Sequence, residues 1–390
     1  MLSNKHKYTL LRVSRLLLAP LYSLLALFVK KNENIIITSI LNLEYSDNAK
    51  ALFEILIKYP DFKNRAFFVI NDKQKREELN RQYPGHFISN KGIKNICLIL
   101  KSHYWFCSAM ELPLPTLFQK NIRQVIHLGH GMLYKKVGVA ETNANWYKKL
   151  YYALITSNIT YTIATSPFCK KDISLGFGLP MKRVLITPQP KTYQIAFPLK
   201  IENAILTDKK NLNILYAPTW RPYAAVELFP FADLDLEEFS RFLSENNIHI
   251  WLRVHPRFEQ DIPNEILNNF NIHLFSANNY LDINHYLNYF QGLITDYSSI
   301  YYDFLTLERP VLFFDYDLAI YNKKVGVIDR YKQVKPVETT KSLDHFLEQL
   351  LAIKNKTYDL SRIKEINKLV NYEIKNEKIA EEVLQKIKLI

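Results

Sequence analysis

The chain has 390 residues, with 51 Lys and Arg against 38 Asp and Glu and a formal net charge of +13. That length predicts two or three domains, and a hydrophobic content of 48% is globular, which excludes a collagen, a coiled coil or a disordered tail. Three cysteines without a CxxC pair exclude a disulfide scaffold and a cysteine-built zinc site. Nine glycines, with neither GxGxxG nor a Walker pattern, leave no Gly-rich phosphate loop. The positive balance calls for nucleic acid, an anionic membrane surface or a phosphorylated substrate.

The first element is an uncharged run from Leu16 to Val29, preceded by Lys5, Lys7, Arg12 and Arg15 and followed by Lys30 and Lys31. No small-x-small cleavage site follows it, so it does not read as a signal peptide. It is shorter than the ~20 apolar residues of a spanning helix. A basic, apolar helix lying in a membrane interface fits it better than a helix packed on the domain's own core.

From there short apolar runs alternate with helical stretches. Strands are expected at Asn34–Ile40, Ala66–Ile70, Tyr104–Ser108, Val125–Leu128, Tyr161–Thr165 and Val184–Thr187. Ser46-Asp47-Asn48 reads as the cap of a helix over Ala49–Tyr59, with further helices at Gln74–Tyr83, Ile93–Leu100 and Cys169–Phe177. Pro188–Lys210 carries three prolines and no strong period, and reads as a linker. The rhythm restarts with strands at Leu212–Ala217, His249–Val254, Ile272–Phe275, Gly292–Thr295 and Val311–Phe314. Helices are expected at Leu236–Asn246, Asn284–Phe290, Ser298–Leu307 and Ser342–Ile353, and the tail from Ser361 to Ile390 is mostly helical. This is the pattern of an α/β protein with two parallel sheets facing a cleft. Ligands in such sheets bind beyond the carboxyl ends of the strands.

Four clusters fall at those ends. His127-Leu-Gly-His130-Gly131, followed by Tyr134-Lys135-Lys136, offers a proton-transfer side chain beside glycines and lysines. Tyr216-Ala217-Pro218-Thr219-Trp220-Arg221 presents a hydroxyl, a large ring and a guanidinium suited to phosphate, or else a surface turn with a packed Trp. Arg253-Val-His255-Pro256 puts two basic groups on one side of a strand, as a diphosphate clamp would need, against the alternative of a solvated strand end. Thr295-Asp296-Tyr297-Ser298-Ser299, with Asp303 one turn on, begins a helix whose N–H groups can meet phosphate, or whose serines simply cap it. The Asp233-Leu-Asp235 and Asp315-Tyr-Asp317 pairs lack neighbouring ligands and read as loop or cap residues rather than metal sites.

Together the clusters resemble the CDP-glycerol:poly(glycerophosphate) glycerophosphotransferase family of teichoic acid and capsule synthesis. The resemblance runs from Glu44 to Tyr321, through Tyr45-Ser46-Asp47-Asn48, His130-Gly131 with Lys135-Lys136 and Gly138, Ala217-Pro218-Thr219-Trp220-Arg221, Arg253-Val254-His255-Pro256, Thr295-Asp296-Tyr297-Ser298-Ser299, Asp303 and Arg309-Pro310-Val311. Met132-Leu133-Tyr134 departs from the family's Thr-Pro-Leu, and Lys191 stands where an Arg is usual. The resemblance implies a GT-B-like fold. Its expected parts are a membrane-associating helix over 1–33, a Rossmann-like acceptor domain over 34–195, and a Rossmann-like nucleotide-donor domain with a helical tail over 196–390. It also implies attachment to the cytoplasmic membrane face, where the acceptor is a lipid-linked saccharide or a polyol-phosphate polymer.

The reaction so implied is attack of an acceptor hydroxyl on the β-phosphorus of CDP-glycerol, or a related CDP-polyol, with CMP leaving. His130 and His255 are the expected catalytic residues, His130 as general base. The donor is expected against Gly131, Met132, Leu133, Tyr134, Lys191, Pro218, Thr219, Arg253, Val254, His255, Ser298, Ser299 and Asp303. No cofactor, metal or nucleic acid is expected, because basic side chains can neutralise the diphosphate. A GT-B glycosyltransferase using a nucleotide sugar is the alternative. A basic nucleic-acid-binding protein is the third reading, and it would spread its charge over one face instead of gathering it at strand ends. The length leaves little beyond two domains, an expectation that leans toward priming or short transfer.

Overall fold

Parallel strands buried on both faces read as continuous apolar runs, and these runs fold accordingly. In a computed structural model, which describes residues 17–142, 146–373 and 378–390, every strand pairs in parallel. The first sheet holds β1 (Asn32–Thr38), β2 (Ala66–Val69), β3 (Phe87–Ile88), β4 (Ser102–Cys107), β5 (Gln124–His127), β6 (Tyr161–Ala164) and β7 (Val184–Ile186), in the order β3-β2-β1-β4-β5-β6-β7. The second holds β8 (Leu212–Ala217), β9 (Ile248–Leu252), β10 (Ile272–Leu274), β11 (Gly292–Thr295) and β12 (Val311–Phe313), in the order β10-β9-β8-β11-β12. Ile35, Ile36 and Ile37 of β1 are fully buried, each stabilising the sheet by roughly 1.5–3 kcal/mol. Strand order reverses between β1 and β4 in one sheet and between β8 and β11 in the other. Those are the switch points where open α/β sheets take ligands.

The helices that matter here are α1 (Ala19–Leu27), α2 (Asp47–Leu56), α3 (Pro167–Phe177), α4 (Ile300–Leu305), α5 (Ser361–Val370) and α6 (Ile379–Lys386). Pro167 opens α3, Ser166 caps it from Oγ to the Cys169 N–H at 3.3 Å, and Gly178 ends it in the left-handed region at φ 66°.

Most expected elements stand within a few residues of their places. The helix Trp146–Thr156 and the two-residue β3 were not foreseen. The expected helix Asn284–Phe290 is two separate 3-10 turns, because Tyr286 between them sits at φ −115°. The helix expected over Ser298–Leu307 is the shorter α4.

Two expectations about organisation need correcting. The tail does not stay with the second sheet. Ile379, Val383, Leu384 and Ile387, in and just beyond α6, bury among Ile35, Ile37 and Phe106 of the first sheet. The expected donor residues Met132, Leu133 and Tyr134 are core side chains. Tyr134 lies edge-on to Tyr301 and Tyr302 and tilts against Tyr331, with centroids at 5.3, 5.6 and 4.9 Å. These rings join the two sheets in one apolar cluster, so Tyr134 fastens the halves together, while Met132 and Leu133 are buried in the same cluster.

Candidate active site

The loop after β5 carries the first candidate. His127 is buried, with Nδ1 3.0 Å from Thr162 Oγ1, and burial holds its pKa down at about 3. It is a neutral structural residue. Gly129 turns the chain at φ 63° and leaves His130 exposed. Asn48, in the first turn of α2, fixes this loop. Its side-chain amide donates to the Leu128 and Gly129 carbonyls at 3.1 and 3.0 Å, and its Oδ1 accepts the Lys191 N–H at 3.0 Å. The residues expected as a helix cap therefore hold the site, and the Ser46 side chain makes no capping bond.

The linker supplies the crossing contact. Lys191 Nζ lies 2.6 Å from Asp303 Oδ2 of α4 and donates to the His130 carbonyl at 3.1 Å, while Gln189 Nε2 donates to Asp303 Oδ1 at 3.3 Å. Both members of this ion pair are about 5% exposed or less. Burial pushes the Asp303 carboxyl upward, and the Lys191 ammonium pulls against it. Asp303 was expected to bind donor hydroxyls and Lys191 to add potential for the donor. In this structure each is engaged by the other, because the two sheets close over them.

Gly131 completes the crossing. A Cβ built there would lie 2.8 Å from Ser299 Oγ, so only glycine lets the loops meet. Gly131→Ala is expected to cost about 1–3 kcal/mol by overpacking, read as a fall in Tm. Adding Ser299→Gly should restore only the part due to this clash, because an alanine at φ 154° stays strained whatever space is made. A single variant as stable as the parent would contradict this close approach.

The second sheet gathers the other candidates at its switch point. Asp296 organises the turn: its Oδ1 accepts the Thr219 and Tyr297 N–H groups at 2.8 and 2.6 Å. Arg221 is buried and clamps this turn, from Nη1 to Asp296 Oδ2 at 2.6 Å and from Nη2 to Asp317 Oδ1 at 2.9 Å. Burial pushes the Asp296 carboxyl up against the opposing pull of Arg221. The phosphate role considered for Arg221 is thereby corrected, since its fork is spent on two carboxylates. Asp315 and Asp317 are likewise more than loop residues. Asp315 accepts from Lys335, Tyr331 and Thr339.

Ser299 stands at the N-cap of α4 without capping it, and Ser298 Oγ reaches only to 3.5 Å from the Ile300 N–H. Arg253, half-buried at the end of β9, donates to the Phe275 and Leu281 carbonyls at 3.2 and 3.4 Å, and burial lowers its pKa to about 10. His255 is exposed and borders a pocket of about 430 Å³ with Pro218, Val254, Trp220 and Phe258. Trp220 stacks nearly parallel on Phe258 at 6.0 Å. Val254 itself is mostly buried. Thr219 Oγ1 is buried without a partner among the described residues.

Gly131, Lys191, Ser299 and Asp303 thus meet at one crossing, and Pro218, Val254 and His255 share one pocket. Gln189, the Asn48 bonds and the Arg221 clamp were missed. A lone Gln carries no spacing signal; Asn48 was visible in the Tyr45-Ser46-Asp47-Asn48 motif but not its bonds to the His130 loop, and Arg221 was visible but not its carboxylate partners.

Two parallel α/β sheets with motif-bearing strand ends turned toward each other define a GT-B-like α/β protein. The chain belongs to the CDP-glycerol:poly(glycerophosphate) glycerophosphotransferase family, whose profile matches residues 21–389. It is 22% identical over 319 residues to the teichoic acid ribitol-phosphate polymerase TarL of Staphylococcus aureus, covering 76% of this chain and 55% of that protein. It is 25% identical over 329 residues to the teichoic acid glycerol-phosphate transferase of the same organism, covering 79% of this chain and 81% of that one. The chain spans little more than half the length of two of the ribitol-phosphate polymerases it matches. The fold is similar to that of the wall teichoic acid polymerase TagF, with a TM-score of 0.73 and 20% identity over 100% of this chain and 98% of that one. S. aureus MnaA in complex with UDP shares it more distantly, with a TM-score of 0.54 and 11% identity over 92% of this chain and 98% of that one.

Proposed function

We propose that this protein moves glycerol phosphate, or a related polyol phosphate, from a CDP-polyol to a lipid-linked or polymeric acceptor in teichoic acid or capsule synthesis, releasing CMP. One observation carries this reading. Pro218, Thr219, Arg253, His255, Ser298 and Ser299 converge on the switch point of the second sheet, and the His130 loop meets Ser299 from the first. Family membership supports it, as do relatives named for glycerol-phosphate and ribitol-phosphate transfer.

In this proposal the acceptor hydroxyl gives its proton to His130 as its oxygen bonds to the β-phosphorus. The bond from that phosphorus to the bridging oxygen breaks, and CMP leaves. Arg253 and His255 meet the diphosphate and the charge growing on CMP, while the Ser298 and Ser299 hydroxyls hold phosphate oxygens. The carbonyls of Phe275 and Leu281 hold the Arg253 fork in place, which suits a catalyst that works by positioning.

The test is CMP release from CDP-glycerol, CDP-ribitol and a UDP-sugar, offered in turn with a membrane-lipid extract. Release from a CDP-polyol alone is expected, and EDTA should leave the rate unchanged. UDP release from the sugar, without CMP release, would replace this reading by the nucleotide-sugar one. Loss of rate in EDTA with recovery in Mg²⁺ would remove the metal-free part.

The proposal includes attachment to an anionic membrane surface. Ala19 and Ala26 bury one narrow face of α1, and Ser23 Oγ accepts the Leu117 N–H at 2.8 Å. Leu21, Leu24, Leu25, Leu27 and Phe28 stay exposed, as do nearby Phe118 and Lys30. Among the described residues no helix is long and apolar enough to cross a membrane. Lys5, Lys7, Arg12 and Arg15 lie outside the described residues. Leu21→Glu with Leu24→Glu is expected to weaken sedimentation with phosphatidylglycerol vesicles at least about tenfold, given roughly 1.5–3 kcal/mol per buried Leu. Unchanged sedimentation would remove α1 from the attachment.

A further inference from the structure

We propose that Lys50 is a positioning residue for the donor: it holds the Asp282 carboxylate across the cleft and so keeps the Arg253 guanidinium free to meet the diphosphate. This rests on the proposed transfer reaction and adds a residue to it.

A cation that is to bind a diphosphate must not be spent on a carboxylate of its own protein. Arg253 meets that condition. Its fork donates to two neutral carbonyls, those of Phe275 and Leu281, and among the described residues it makes no ion pair. Yet the residue after each carbonyl brings a carboxylate close. Ser276 Oγ donates to Glu259 Oε2 at 2.8 Å, and Asp282 follows Leu281 directly. Burial lowers the Arg253 pKa, while Glu259 and then Asp282 act to raise it. Both carboxylates are engaged elsewhere. Glu259 also accepts the Ala277 N–H at 2.9 Å. Asp282 pairs with Lys50 Nζ, which reaches over from α2 beside the first sheet. The two side chains are 15% and 9% exposed, so little water competes for them. Burial lowers the Lys50 pKa, but Asp282, and then Glu54 at 3.7 Å, raise it above its ordinary value.

The ion pair is not what holds the loop. Tyr280 stacks on Phe275 with centroids 3.9 Å and planes 5° apart, and the Leu252 carbonyl accepts the Phe275 N–H at 2.8 Å. The carbonyls therefore keep their places without Lys50, whereas the Asp282 carboxylate loses its cation. It then turns to Arg253, whose fork already bonds the carbonyl of the preceding residue. Helix α2 thus serves both halves of the site. Asn48 holds the loop of His130, and Lys50, two residues on, holds the acid beside Arg253.

Lys50→Met is expected to weaken CDP-glycerol binding about 3- to 30-fold, the span of a coupling carried through one intervening residue, read by titration calorimetry well below Tm. Lys50→Met with Asp282→Asn removes the competing carboxylate as well, and binding should return to within about twofold of the parent's. A general loosening of the fold would not be undone by taking away a second charge. Unchanged binding in the single variant, or equal loss in the single and the double, overturns the proposal. In the Arg253→Ala background Lys50→Met should cost nothing more, and an equal loss in both backgrounds would also overturn it. In protein labelled at arginine nitrogen and followed by NMR, the Arg253 Nε–H signal is identified by its loss in Arg253→Ala. It should move in Lys50→Met and return in the double variant, and an unmoved signal overturns the proposal. Failure of the parent protein to bind CDP-glycerol would sink the transfer reading alone, because the Arg253 signal still decides whether Asp282 captures it.

Discussion

His130→Ala is expected to lower kcat for CMP release by about 10²–10⁴-fold, the span of a general base, with Tm unchanged. The two halves of this expectation come from different parts of one residue. The backbone does structural work, because the His130 carbonyl accepts from Lys191 Nζ and the two preceding carbonyls are held by Asn48. Alanine keeps all of those bonds. The imidazole is exposed, and exposed side chains away from special features change stability by about 0.5 kcal/mol or less. A large loss of rate in a fully stable protein would therefore report chemistry. Near-full turnover would remove His130 as the base, and a fall in Tm parallel to the loss of rate would turn it into a folding residue. Buried His127, three residues earlier, is the control for the second outcome. Its ring bonds Thr162 and packs on Phe177 at 4.5 Å, so His127→Ala should unfold the protein at lower temperature before it says anything about chemistry.

The contrast between these two histidines shows what the sequence could disclose. Both sit in one motif, and a strand end with glycines was enough to mark the loop. Only packing separates them: His127 ends β5, sealed beneath neighbouring elements, while Gly129 turns His130 outward. The strands were legible because each is an apolar run buried on both faces. Leu212–Ala217 and Gly292–Thr295 match residue for residue. The contacts that close the cleft were not legible. Asp303 meets Lys191, and Arg221 meets Asp296 and Asp317, across separations that no local period records. Tyr134 was placed against the donor because it follows a motif. Its ring instead fills the seam between the sheets, a use that depends on Tyr301, Tyr302 and Tyr331 far along the chain. The tail misled for a similar reason: α6 has the apolar spacing of any amphipathic helix, and nothing in that spacing says which sheet it covers.

Lys191→Met is expected to destabilise the protein by about 3–5 kcal/mol near neutral pH, because it strands the Asp303 carboxylate in a buried crossing. The pair is 2.6 Å apart and nearly inaccessible to solvent, with only Gln189, among the described residues, left to donate from its side chain to Asp303. The pH dependence has a definite sign. Burial already pushes the Asp303 carboxyl up with Lys191 present, and without Lys191 it rises further above its unfolded value. A group with a raised folded pKa favours folding at low pH, and that contribution is lost as pH rises through the folded pKa. The deficit of Lys191→Met relative to the parent should shrink on acidification and widen toward neutral pH. Lys191→Met with Asp303→Leu removes both charges, and well-packed apolar replacements of buried pairs are often neutral or stabilising. Its Tm should return close to the parent's. Its turnover should not, because Lys191 Nζ also holds the His130 carbonyl and no methionine can donate there. Recovery of stability without recovery of rate would assign the pair to aligning the His130 loop with α4. Recovery of both would reduce it to a fastening between the sheets, and a single variant as stable as the parent at every pH would show that Asp303 finds another partner when Lys191 is gone.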